Sequence, residues 1–201
     1  MNPSNLLPLG RIVRLQIQRS SLKLGQKPNR YYDPAPLLEV DALTLTPQGA
    51  VALLPDGSAL LDVHHAGHPR TRNVDGSNDL SVGFTGHYAR MRARYGLHLS
   101  DGCAGENILV ENDAHIDLAA VQRGLAIQPA GSDAWVWLRG VRVAPPCVEF
   151  STYTARQPGP EAVKAALQFL DHGMRAFYCA YEGDAPATLR VGDQVWAVGT
   201  D

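Results

Sequence analysis

Residues 12–18 read Ile-Val-Arg-Leu-Gln-Ile-Gln, and their pattern sets the fold class. Val13, Leu15 and Ile17 stand at every second position, separated by Arg14, Gln16 and Gln18. Successive side chains of an extended chain point to opposite faces, so this is the period of a half-buried strand. Outward from it, short apolar runs recur at 37–45, 51–54 and 60–63, broken by Pro47, Gly49, Pro55 and Gly57. That spacing predicts a meander of short strands. Further strand-like runs lie at 108–110, 125–128, 135–138, 141–143, 175–181 and 194–198. The stretch 20–36 is basic and aromatic, with Pro28, Pro34 and Pro36, and reads as a long loop or irregular arm.

Two segments carry helical spacing. Thr85 is placed to cap a helix running to Tyr95, with Gly96 as its stop and Tyr88, Met91 and Tyr95 on one face. Pro160 suits a first helical turn, and Val163, Ala166, Leu167 and Leu170 form an apolar face before Gly173. Many short strands against two or three peripheral helices predict a mostly β protein, a closed or nearly closed barrel. One domain is expected over 1–201, with its core at about 10–198.

Composition narrows the function classes. Of the 201 residues, 45% are apolar, which suffices for a folded core. A net charge of −2 provides no global basic field for a nucleic-acid backbone. No apolar run approaches the ~20 residues of a membrane span. Residues 1–10 lack a basic start followed by an apolar run, so no secretory signal is expected. Three cysteines, Cys103, Cys147 and Cys179, make neither an even disulfide set nor a CxxC pair. Free thiols in a reducing, cytoplasmic setting follow.

Three clusters carry chemistry. The first is Gly102-Cys103-Ala104-Gly105-Glu106-Asn107, where glycines flank a tight connection into a strand. Glu106 and Asn107 can pin such a turn without any ligand, or organise a pocket beside it. The second is Asp62-Val63-His64-His65-Ala66-Gly67-His68-Pro69-Arg70, followed by Arg72. Imidazole and carboxylate ligate zinc-like ions, so Asp62, His64 and His68 could serve a metal-dependent hydrolase. Adjacent His64 and His65 point apart on an extended segment, which limits how many converge. Arg70 and Arg72 suit planar capture of phosphate, or simply face solvent. The third is Arg142-Val143-Ala144-Pro145-Pro146-Cys147. Two prolines end the strand and hold Cys147 at its terminus, where the thiol would line a cavity at one end of the barrel. A guanidinium such as that of Arg142 would favour the thiolate. Cys179, between Phe177 and Tyr181, reads as an inert core residue, and Cys103, in its glycine-rich loop, as the more accessible of the two.

Taken in order, these motifs resemble the MOSC family, named for the C-terminal domain of molybdenum-cofactor sulfurases. They are Asp62-Val63-His64-His65-Ala66-Gly67, His87-Tyr88, Gly105-Glu106-Asn107, Pro146-Cys147 and Val191-Gly192-Asp193-Gln194-Val195. The resemblance covers about 10–198, and the order of the motifs carries it. It implies a MOSC-type β-barrel that binds the molybdenum cofactor (molybdopterin), with Cys147 ligating molybdenum or carrying sulfur. The pterin phosphate would need cations, for which Arg70, Arg72, Lys23, Lys27 and Arg30 are the candidates; Glu106, Asn107 and His65 would complete the pocket. The implied activity is reduction of small N-hydroxylated compounds or sulfur transfer, with a separate protein donating sulfur or electrons. A non-catalytic cofactor carrier or sensor is the alternative. The segment 72–83 reads as an insertion relative to short members.

Overall fold

The computed structural model describes residues 5–71, 73, 79–156 and 159–199. The strand read at 12–18 is the end of a longer one, β1 (Leu6–Gln18). Next come β2 (Lys23–Leu24), β3 (Tyr31–Tyr32), β4 (Leu37–Val40), β5 (Ala42–Thr46), β6 (Gly49–Leu53), β7 (Ala59–Leu61) and β8 (Leu80–Phe84). They are followed by α1 (Thr85–Tyr95), β9 (Ile108–Val110), α2 (Leu118–Val121), β10 (Leu125–Gln128) and β11 (Val136–Val143). The chain then forms α3 (Val148–Ala155), α4 (Pro160–Leu170), β12 (Phe177–Tyr181), β13 (Ala187–Arg190) and β14 (Gln194–Val198).

The protein is mostly β. Seven strands close a barrel in the order β14-β10-β11-β12-β8-β9-β1, and β1 returns to β14. Of these pairings, β8 with β9 is parallel and the others are antiparallel. Closure depends on the length of β1, which serves β14, then β9, then β4 along its course. Its register slips at Pro8/Gly10 and again at Ile12/Arg14. At Gly10 φ is 146°, and a Cβ there would sit 1.9 Å from the Glu111 carbonyl oxygen, so only glycine fits the first slip. The second slip changes which residues face inward. Ile12, Leu15 and Ile17 enter the barrel core, whereas Val13 packs on the opposite side. The expected Val13/Leu15/Ile17 face is therefore corrected at its first member, because a bulge breaks the period of two.

A smaller sheet, β13-β5-β6-β7, adds Leu43, Leu45, Ala50, Ala52 and Leu189 to the same core. A second apolar cluster lies on the outer side of the barrel wall. There Leu109, facing away from its neighbours Ile108 and Val110, meets Tyr88 and Met91 of α1, Phe150 of α3 and Leu170 of α4. Burying each such side chain contributes roughly 1.5–3 kcal/mol, enough to hold a helical layer against the sheet.

Four helices are present among the described residues, where two or three were expected. No periodic signal announces α3, whose residues are largely aromatic or β-branched. It is helical because Phe150 buries fully and, with Tyr153, packs on the Tyr32 ring. Thr85 is the first residue inside α1 rather than its cap, which is Phe84; the Thr85 hydroxyl donates to the Asn112 carbonyl at 3.2 Å. The insertion reading of 72–83 is also corrected at its end, since Leu80–Gly83 belong to β8 in the barrel. Residues 72 and 74–78 lie outside the described residues.

Candidate functional site: a cleft on the outer barrel wall

Ser81 of β8 pairs with Tyr178 of β12, and their neighbours Leu80, Val82 and Cys179 face the core. Alternation therefore turns Ser81 and Tyr178 outward. Both line a cleft of about 750 Å³, a size suited to a small organic ligand. The expected cavity at one end of the barrel is replaced by this flank cleft, because apolar side chains fill the barrel interior. The β2–β3 hairpin, the loop before β9 and the connection from β11 to α3 form its other walls.

Cys147 lines the cleft as a half-buried free thiol. The Ala144 amide donates to the Ala176 carbonyl at 3.0 Å, extending the β11–β12 ladder one step beyond Val143. Pro145 and Pro146 have no N–H to continue it. The chain then turns into α3, with Cys147 at the N-cap position and its carbonyl accepting from the Ser151 amide at 2.9 Å. The thiol thus stands at a helix start rather than a bare strand end. Cys179 is buried as expected. Cys103 is buried as well, at 3% exposure, which corrects its reading as accessible. Burial pushes both thiols up to about 12.

Arg175 is a cleft residue the sequence reading missed. Its Nη1 donates to the Pro145 carbonyl at 2.9 Å and its Nη2 to the Ala104 carbonyl at 3.3 Å. It therefore ties the Cys147 connection to the loop carrying Glu106. Its Nε is buried and has no partner among the described residues. Burial opposes the charge, but Tyr178, Tyr32, Cys147 and Glu106 around it raise its pKa above the ordinary arginine value. The signal was available: Arg175 is a lone cation in the otherwise apolar run Met174-Arg175-Ala176-Phe177. Arg142, expected to act on Cys147, instead lies over the Tyr178 ring at 5.7 Å and bears on Cys179. Outward residues on neighbouring strands made that pairing, which spacing along one strand does not show.

Glu106 and Asn107 divide their roles. Glu106 lines the cleft at 1% exposure, and both its oxygens accept from the Tyr88 hydroxyl at 2.8 Å. Burial pushes its carboxyl up to about 7, against the opposing pull of its backbone, Tyr88 and Arg175. Gly83 makes room for it, since a Cβ there would stand 2.6 Å from Glu106 Oε1. Asn107 does not line the cleft. Its Oδ1 accepts from the Ser81 amide at 3.0 Å, and its Nδ2 donates to Asp62 Oδ2 at 3.0 Å and to the Gln16 carbonyl at 3.2 Å. It is a buried strut, as the turn reading allows.

The histidine loop follows the same division. Asp62 is fully buried and accepts from the Gln18 amide at 2.7 Å, the His64 amide at 2.8 Å and Asn107. His64 faces the cleft with its Nδ1 2.9 Å from Asp62 Oδ1. His65 points away and accepts from the Gly67 amide at 3.0 Å, so its pocket role is corrected; burial lowers its pKa. His68 accepts from the Arg70 amide at 3.1 Å. Asp62, His64 and His68 do not converge, and no group of three His, Cys, Asp or Glu placed to hold a metal ion occurs among the described residues. The hydrolase reading loses its ligand set because Asp62 is spent on backbone and amide donors.

Of the cations proposed for a phosphate, Lys23 and Arg70 line the cleft. Lys27 does not, and Arg30 is committed to an ion pair with Glu149 in the first turn of α3. Arg72 lies outside the described residues.

No protein-family profile matches the chain, and no curated protein is significantly similar to it. Among solved structures, it is similar to the YuaD protein from Bacillus subtilis, at 14% identity and a TM-score of 0.54, over 98% of this chain and 97% of that one. It is also similar to a hypothetical protein at 12% identity and a TM-score of 0.53, over 97% of this chain and 70% of that one. These likenesses show the fold alone.

Proposed function

We propose that the chain is a MOSC-type protein whose flank cleft binds the molybdenum cofactor, with Cys147 as metal ligand or sulfur carrier. The observation that carries this reading is the placement of Cys147. It is the one thiol of three that is half-open, and it shares a cleft of about 750 Å³ with Lys23, Arg70 and Arg175. The donor set fits such a group: soft sulfur for a transition metal, cations for a phosphate, and an unpartnered buried N–H at Arg175. Bound there, the cofactor would supply two-electron redox chemistry or a site for sulfur delivery.

The chain's own residues have separable tasks. Cys147 would present thiolate sulfur from a connection held in place by Pro145, Pro146 and Arg175. Lys23 and Arg70 would hold the phosphate at the rim. Glu106, with its carboxyl near 7, would hold or release a proton at neutral pH. Reduction of a small N-hydroxylated compound, or sulfur transfer, in the cytoplasm is the activity this supports, with a separate donor protein.

Elemental and pterin analysis of protein purified from a cofactor-competent host tests the reading. Stoichiometric molybdenum and pterin, lost in Cys147→Ser, is the expected result. Protein free of both would sink it. Molybdenum bound without turnover of N-hydroxylated substrates would favour the carrier or sensor reading.

A further inference from the structure

We infer that Arg175 is the oxyanion anchor of the cleft, binding the oxyanionic end of a ligand between the Cys147 connection and the Glu106 loop. This rests on the cleft being a ligand site, not on the presence of molybdenum. Three side chains of fixed positive charge line the cleft, Lys23, Arg70 and Arg175, against a single carboxylate, Glu106, among the described residues. Lys23 and Arg70 are exposed and reach the cleft from flexible stems. Arg175 is different. Two carbonyls fix its guanidinium, whose carbon lies over the Phe150 ring, 5.8 Å from its centroid. Its orientation is therefore set before any ligand arrives, and little side-chain entropy remains to be lost. Its Nε–H is buried and has no acceptor among the described residues.

Glu106 supplies a second, independent handle. Around it stand Tyr88 from α1, Asp101 and Cys103 from its own loop, Tyr32 from β3, and Arg175 as the cation. An oxyanion on Arg175 would repel an ionised Glu106. Binding should therefore be tighter when Glu106 is neutral and weaken as pH rises through about 7.

Sulfate is a suitable probe, because it stays divalent over this range. Purified full-length protein is alkylated with iodoacetamide with and without sulfate, at ionic strength matched by chloride, and Cys147 modification is read by mass spectrometry. The ratio of the two rates at each pH removes the thiol's own titration. Sulfate should slow Cys147 modification in the wild type, less so above pH 7. Arg175→Gln should need roughly tenfold more sulfate or worse for the same protection. Glu106→Gln should keep the protection and lose its pH dependence. Absence of protection in the wild type, or equal protection in Arg175→Gln, overturns the inference. If Arg175→Gln does not fold, the wild type decides: protection that is independent of pH would assign sulfate to Lys23 and Arg70 instead. Sulfate protection in a protein that never acquires molybdenum would keep Arg175 and remove the cofactor reading. Molybdenum loading with no role for Arg175 would do the reverse.

Discussion

The Tyr88 hydroxyl lies 2.8 Å from both carboxylate oxygens of Glu106, and both side chains are buried. The same hydroxyl accepts from the Ala104 amide at 3.0 Å, so one phenol joins α1 to the loop before β9. That leaves the carboxyl with few donors for its charge. Burial dominates, and the group titrates near neutrality rather than at its ordinary 4.5.

Stability should therefore fall as pH rises between about 4.5 and 7, since the unfolded chain ionises Glu106 earlier than the folded one does. A group raised in the folded state stabilises fully below its unfolded pKa, and that stabilisation is lost as pH climbs through the folded value. The difference is worth roughly 3 kcal/mol, an order-of-magnitude figure. Urea unfolding at pH 5 and pH 8 checks it: Glu106→Gln should flatten this part of the profile and be more stable than the wild type at pH 8. Equal slopes in the two proteins would refute the assignment.

Gly83→Ala should disturb the site more than the fold. The added methyl would meet the end of the Glu106 side chain, 2.6 Å from Oε1, and push it off Tyr88. A destabilisation of about 1–3 kcal/mol is expected, with a changed Glu106 titration by NMR. An unaltered titration would mean that the carboxylate has other room.

Thiol labelling of the native protein should modify Cys147 and spare Cys103 and Cys179. Both spared thiols are enclosed, and burial raises their pKa values to about 12. They should react only on unfolding. Early modification of Cys103 would show that the 102–106 loop opens.

Removing Lys23 and Arg70 together should weaken retention of a cofactor phosphate by a few kcal/mol, at about 1.5–3 kcal/mol for each charge-assisted bond. Arg30→Ala should leave retention unchanged and cost about 1–3 kcal/mol of stability, by leaving the buried Glu149 carboxylate without its cation. Pterin content per chain, measured alongside thermal melting, separates the two effects. Loss of pterin in Arg30→Ala with normal melting would return Arg30 to the binding set.

Local pattern alone marked β9, β10 and β14 with their observed bounds, and α1 with its observed end at Tyr95. The alternation in β1, the period of α1 and the glycine after it are properties of neighbours along the chain, so no partner is needed to read them. Cys147 was also legible, because two prolines before a thiol constrain the backbone locally. The bulge after Ile12 was not, since it depends on how β1 meets β9.

What only tertiary structure decided is which polar side chains face the cleft. Glu106 and Asn107 are neighbours, yet one lines the cavity and the other braces Asp62 from the far side. Arg30 and Lys23 belong to one hairpin, yet Glu149, 119 residues from Arg30, takes the former out of contention. Arg175 reaches the site because β12 lies beside β11, which brings it to Pro145 across 30 residues of chain. The sequence by itself determined the barrel's strands other than β8, together with the open thiol, because period and proline geometry act over a few residues. The charge pattern around that thiol comes from strand order and helix packing, and those place together residues whose separation along the chain carries no signal.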